Sequence, residues 1–180
     1  MKISIRLAKK SDLAKYIDLL QQTYQDAYTD EKLGLTKNLF SKEVFSSPRI
    51  IKYLKSNLSI NSLRKTWLAF LESDLIGSIT ISCNARECEL KGFYVKTKYQ
   101  GRGIGKRLWK FALDFVNRQD IVRDVVLDIY AHNTKSIDIY KKWGFKIDRD
   151  KGTFYRHWSE WPKEIKAKCV YMKLENKEKF

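Results

Sequence analysis

The sequence has no run of about eighteen apolar residues, the length a helix needs to cross a bilayer, so no segment reads as membrane-spanning. Its first residues, Met1 to Lys10, alternate polar and apolar and lack the continuous apolar core of a signal peptide. Cysteine is scarce. Cys83, Cys88 and Cys169 are odd in number and show no metal-ligand spacing, which predicts reduced thiols in a cytoplasmic protein, with no disulfide framework. His132 and His157 also lack metal-ligand spacing, so no metal site is expected, and Cys88 reads as a buried strand residue before it reads as a nucleophile. With two Pro and eight Gly among 180 residues, there is no low-complexity linker, repeat or domain boundary. The chain reads as a single domain, 1–180, with one buried core and a polar tail from Glu175 that should fray.

Negative charge is under-represented: 36 Lys and Arg face 21 Asp and Glu, a net charge of +15. Such an excess raises a nucleic-acid, phosphate or acidic partner. The basic residues are nonetheless spread along the chain without a Lys/Arg block, as on a solvated basic surface.

Periodicity supplies the elements. Ile3, Ile5 and Leu7 alternate with polar neighbours as in a half-buried strand. Ser11 has the position of an N-cap for a helix to about Ala27, with Leu13, Tyr16, Ile17, Leu20 and Tyr24 on one face. Short helices are expected around Leu39–Phe45 and Ile50–Leu58, with Ser46-Ser47-Pro48 between them. Trp67–Leu71 and Leu75–Cys83 read as strands joined by a turn at Glu72-Ser73-Asp74, and Glu87–Val95 as another. A helix follows from Gly103 to about Asn117, with Ile104, Leu108, Phe111, Ala112, Phe115 and Val116 as its apolar stripe. Val125–Tyr130 is a strand; Thr134–Trp143 is a helix opened by Asn133 and closed by Gly144; strands begin at Phe145 and run from Ala167 to Leu174. This order predicts an α/β (α+β) protein with a mixed, mostly antiparallel twisted sheet of about seven strands flanked by helices.

Between the strand ending at Val95 and the helix lies Gln100-Gly101-Arg102-Gly103-Ile104-Gly105. A helix's first turn has unpaired N–H groups and partial positive charge, and glycines let a bulky phosphate approach the backbone. Lys106 and Arg107 add charge. A P-loop requires G-x-x-x-x-G-K-[ST], but Gly101 and Gly105 are four apart and Lys106 precedes Arg107. A dinucleotide fingerprint requires G-x-G-x-x-G near a first strand, and this loop follows four strands with a different glycine spacing. Q/R-x-x-G-x-G/A fits at every position.

Here the chain resembles the GNAT superfamily of acetyltransferases. Leu90–Val95 through Gln100–Leu108 is similar to that family's central cofactor motif, and Asn133–Phe145 to a second motif at the proper distance. Together they span about residues 87–147, and within the superfamily the small bacterial polyamine-acetylating type is the most similar. The resemblance implies an acyl-coenzyme A N-acyltransferase fold and transfer of acetyl from acetyl-coenzyme A to a primary amine of a small molecule or peptide, in a ternary complex. It implies a strand-like binding of the pantetheine arm by the backbone of Phe93, Tyr94 and Val95. The pyrophosphate would lie on the backbone of Gly101, Arg102, Gly103, Ile104, Gly105 and Lys106, with Gln100 at the start of the loop. Asn133 would touch the cofactor arm, although an N-cap role suits it equally. Tyr140 would stand near the sulfur as donor to the leaving thiolate, although on spacing alone it is also a core aromatic. A homodimer is compatible with the resemblance.

The general base departs from the pattern. Many relatives have a carboxylate where this chain has Lys91; Glu89, two residues earlier on the same strand face, is the candidate base, with Glu87 and Asp128 as poorer options. Val95 N–H is the candidate oxyanion donor. Two other functions stay open: a cofactor-binding regulator that has lost its base, and a basic nucleic-acid-associated protein using Tyr155, Trp158 and Trp161 for stacking, the latter the less favoured.

Overall fold

The computed structural model describes residues 2–59, 61–119 and 124–175; the end of the tail, 176–180, lies outside the described residues. Its elements are β1 (Ile3–Leu7), α1 (Leu13–Tyr28), α2 (Lys42–Phe45), α3 (Pro48–Asn57), β2 (Arg64–Leu71), β3 (Asp74–Cys83), β4 (Glu87–Val95), α4 (Ile104–Asn117), β5 (Asp124–Tyr130), α5 (Thr134–Lys142), β6 (Lys146–Ile147), β7 (Thr153–Arg156) and β8 (Ala167–Leu174). The strands form one sheet in the order β1-β2-β3-β4-β5-β8-β6, with β7 also paired to β8. Every pairing is antiparallel except β4 with β5.

Side-chain alternation builds a core on each face. On β2, Trp67 and Ala69 pack on the α4 and α5 side, where Leu108, Ala112 and Val116 meet them. Leu68 and Phe70 face the other way, toward Tyr16, Leu20, Phe45 and Leu54 of α1 to α3. The expected mixed sheet is present, with eight strands among the described residues, β7 being the addition. Its four residues alternate exposed and half-buried on a sheet edge and leave little signal in sequence.

Several local readings change. Ser11 supplies no cap; the carboxylate of Asp12 instead accepts from Lys9 N–H at 2.7 Å and from both Arg6 terminal nitrogens at 2.7–2.8 Å. Pro48 is the first residue of α3, where its missing N–H costs nothing, and Ser47 caps the helix. On α4, Trp109 is buried and Phe111 exposed, so the apolar stripe is rotated from the one expected. The thiols also differ from expectation: Cys83 and Cys88 sit opposite each other at the end of the β3–β4 hairpin, joined in a disulfide, and Cys169 alone is free and buried. Sequence spacing cannot reveal this bridge because strand register brings the two side chains together.

Two irregularities in β4 position the site. Thr80 pairs with Gly92 and Ile81 with Leu90, so Lys91 is an extra residue, a β-bulge. The bulge resets the alternation: Leu90, Phe93 and Val95 pack on the α4 side, while Glu89, Lys91 and Tyr94 look toward α1 and α3. Gly92 permits this bend, since a Cβ there would lie 2.7 Å from the Tyr94 ring. The second irregularity is the pairing with β5, which holds only from Glu87 to Glu89. Beyond Glu89 the two parallel strands diverge.

Candidate active site

The divergence leaves the β5-facing edge of β4 without a strand partner. Lys96 N–H is bonded to Ile76 on β3, at 2.9 Å, so by strand alternation the peptide groups of Val95 and Phe93 point into the gap. Val95 O is taken by Gln100 Nε2 at 3.0 Å, and Gln100 Oε1 accepts from Lys135 Nζ at 3.0 Å. One amide side chain thus links β4 to the first turn of α5 across the mouth of the gap.

The glycine loop forms the next wall. Gly101 and Gly103 have φ of 73° and 76°, a left-handed conformation that suits glycine, and a Cβ at either would meet nothing within 4 Å. That open space lies at the N-terminus of α4. The first helical bond there runs from Arg107 N–H to Gly103 O at 3.0 Å, leaving the preceding N–H groups unpaired within the helix. Thr97 Oγ1 donates to Asp26 at 2.6 Å, tethering the segment before the loop to α1.

These parts enclose a cleft of about 740 Å³. Of the residues singled out from sequence, Phe93, Tyr94, Val95, Gln100, Gly101, Gly103, Ile104, Gly105, Lys106, Asn133 and Tyr140 line it. Arg102 does not; its guanidinium lies 5.8 Å from the Tyr99 ring centre. Asn133 caps α5, Oδ1 accepting from Ser136 N–H at 3.2 Å, and faces the cleft as well, so both roles considered for it are open together. Tyr28, His132, Lys135 and Trp143 also line the cleft and were not singled out. Tyr28 follows Tyr24 by one helical turn on α1, but that spacing by itself reads as core.

A second cleft, about 380 Å³, lies on the α1 and α3 side and contains Glu89 and Asp128. Tyr28, Phe93, Tyr94 and Tyr140 border both clefts and form the throat between them. Tyr140 is 9% exposed and packed edge-on against Phe145. Burial raises its hydroxyl well above the usual tyrosine range, so it holds its proton across physiological pH. Burial likewise raises Tyr24, Tyr28 and Tyr94, and the hydroxyls of Tyr24 and Tyr94 lie 2.9 Å apart.

All three carboxylates considered as bases are ion-paired: Glu89 with Lys91, Asp128 with Arg156, and Glu87 with Lys151 at 3.1 Å, the last not lining either cleft. Burial works against the Arg156 cation, but Asp128 beside it, together with Tyr130, Cys169 and Tyr24, outweighs this and raises its pKa. His132 Nε2 is 3.1 Å from Tyr28 O, and His157 Nδ1 is 2.9 Å from Ile165 O. The three aromatics considered as a stacking platform are not one surface. Trp161 is buried and donates to Leu39 O, Trp158 stacks on Trp161 and lines the second cleft, and Tyr155 alone is exposed.

Comparison with known proteins follows the same lines. The model of the acetyltransferase (GNAT) family matches residues 16–145. A spermidine N(1)-acetyltransferase of Thermoplasma acidophilum is 28% identical over 160 residues, 85% of this chain and 94% of that protein. The L-amino acid N-acetyltransferase AaaT of Escherichia coli is 25% identical over 88 residues, 47% of this chain and 54% of that one. Among solved structures, PaiA N-acetyltransferase from Thermoplasma acidophilum, in complex with coenzyme A, has a TM-score of 0.63 at 25% identity, covering 97% of this chain and 99% of that chain. A GNAT-family acetyltransferase from Streptococcus pneumoniae shares the fold, with a TM-score of 0.66 at 21% identity, covering 96% of this chain and 98% of that chain.

Proposed function

Because this chain belongs to the GNAT family of acetyltransferases, we propose that its two clefts divide acetyl transfer between them, acyl donor in the larger and amine in the smaller. The protein is an N-acetyltransferase and its cofactor is acetyl-coenzyme A. The observation that carries the division is the β4–β5 divergence, with the α4 N-terminus on one side and buried Tyr140 in the throat.

The open cradle over Gly101 and Gly103 suits a pyrophosphate, and the unpaired N–H groups up to Lys106 are its natural donors. The peptide groups of Phe93 suit an extended amide-bearing arm, bound as a partner strand would bind it, while Val95, whose carbonyl accepts from Gln100, keeps its N–H for the thioester oxygen. Bound there, acetyl-coenzyme A supplies an activated thioester carbonyl. The chain's own groups do the rest. Val95 N–H is the donor for the carbonyl oxygen as negative charge develops on it. Glu89, whose pair with Lys91 is made by the carboxylate form, takes one proton from the arriving ammonium through water, and the second proton that nitrogen loses on acylation passes to solvent. As nitrogen bonds to the acetyl carbon and the carbon–sulfur bond breaks, Tyr140 gives its proton to the departing thiolate, and solvent exchange restores both residues. The acceptor is a small-molecule or peptide amine, and the cytoplasm is the compartment this reading implies.

The test is calorimetric titration with acetyl-coenzyme A of the native chain and of Gly103→Glu. The variant puts a carboxylate in the cradle and a side chain at a left-handed φ of 76°. Native binding and its loss in a variant that still melts cooperatively support the assignment. A native chain that does not bind sinks it.

A further inference from the structure

The smaller cleft has a distinctive charge pattern. Three cations line it, Arg49, Lys91 and Arg156, against two carboxylates, Glu89 and Asp128. Each carboxylate already has a partner: Glu89 has Lys91, and Asp128 has Arg156. Arg49 is matched by Glu160, which lies outside the cleft lining and is held by Arg49 Nε at 3.0 Å and Ser47 Oγ at 2.7 Å. Among the described residues, both carboxylates of the wall are already ion-paired, so a second substrate ammonium would have to share one with a protein cation. Sharing would crowd two cations around one carboxylate, in a wall whose cations already outnumber its carboxylates. The net charge of +15 opposes entry of a polycation from solution as well.

The rest of the wall is mostly aromatic and aliphatic. The Tyr24 ring lies 4.8 Å from Tyr28, 5.2 Å from Phe45, 5.3 Å from Tyr94 and 5.5 Å from Trp158, and Tyr53 stands at 45% exposure on the same cleft. Rings can hold an ammonium on their faces, but Tyr130 is already engaged: Arg156 lies 5.4 Å from its centre and the same distance from Phe154. What the wall offers is apolar contact for a flat or aliphatic body.

Resting on the two-cleft reading above, we infer that the acceptor carries one positive charge, the reacting amine itself, on an aromatic or apolar body, and that polyamines are disfavoured. The inference separates this chain from the spermidine N(1)-acetyltransferase it is similar to. Lys91 becomes the specificity determinant. Its ammonium occupies the place a polyamine's second charge would take beside Glu89.

The experiment compares phenethylamine with spermidine by coenzyme A release, in the native protein and in Lys91→Met. Lys91 is partly exposed, so the variant should fold. The native protein should favour phenethylamine at least tenfold in kcat/KM, and Lys91→Met should move the ratio at least tenfold toward spermidine. Equal or better use of spermidine by the native protein overturns the inference, and so does a ratio unmoved in the variant. If neither amine is acetylated, calorimetry on the coenzyme A complex decides. Tighter phenethylamine binding upholds the inference; tighter spermidine binding, or binding of neither, overturns it. Failure to bind acetyl-coenzyme A at all is a separate result, which removes the two-cleft reading itself.

Discussion

Gln100 donates from Nε2 to the carbonyl of Val95, the last residue of β4, at 3.0 Å. The other end of the same amide accepts from Lys135. The bond therefore fixes the edge peptide that borders the larger cleft and ties it to α5.

Gln100→Ala should weaken acetyl-coenzyme A binding about fivefold to tenfold, on the scale of one net hydrogen bond of about 1 kcal/mol. Gln100 is exposed, so the melting temperature should barely move. Titration calorimetry beside a thermal melt separates the two effects. An unchanged affinity would mean that Val95 needs no anchor.

Tyr140→Phe keeps the ring that packs against Phe145 and removes only the hydroxyl. If that hydroxyl protonates the leaving thiolate, kcat should fall by about 10²-fold or more, within the usual range for a general acid. The KM for acetyl-coenzyme A should stay within about twofold. Steady-state kinetics with saturating amine is the measurement, and full activity would make Tyr140 a packing residue.

Alkaline pH should unfold the protein in a predictable direction. Burial pushes the Tyr16 hydroxyl up to about 12 and holds Tyr24, Tyr28, Tyr94, Tyr130 and Tyr140 above the ordinary range as well. Above pH of about 10 the unfolded chain releases phenolic protons that the folded chain keeps, so stability falls as pH rises. The contribution is complete below that pH. Past it, the folding constant drops by up to about tenfold per pH unit for each such tyrosine. Urea midpoints at pH 8, 9, 10 and 11 would trace the decline; a level profile would contradict the burial.

Thiol titration of the denatured, unreduced protein should return one thiol, that of Cys169, and three after reduction. In the native state Cys169 should react slowly, because burial pushes its thiol up to about 11. Reducing Cys83–Cys88 should cost about 2 kcal/mol, the chain-entropy value for so short a loop. Three thiols before reduction would restore the reduced form that composition suggests.

What the sequence discloses is chemistry that is local. The left-handed glycines before α4, the Asn133 cap and the Gly144 stop of α5 each act on residues a few positions away, and each stands where its motif puts it. The Lys91 bulge depends on how β3 registers against β4, so nothing within Glu87–Val95 announces it. Arg156 meets Asp128 across 28 positions through a short edge strand that periodicity misses. Trp109 and Phe111 lie on α4 at two different angles, both adjoining apolar neighbours, and only the sheet decides which is inside. The motif was legible; the wall of the smaller cleft, gathered from α1, α3, β5 and the segment after β7, was not.

The parting of β4 from β5 has a kinetic consequence. One cleft is walled mainly by the α4 loop and α5, the other mainly by α1 and α3, and among the described residues they share the rings of Tyr28, Phe93, Tyr94 and Tyr140. If donor and amine occupy the two clefts as proposed, they use separate entrances, and neither has to leave before the other arrives. Spent coenzyme A lingering in its own entrance would exclude the next donor while leaving the amine's route clear. Product inhibition should then be competitive toward acetyl-coenzyme A but not toward the amine.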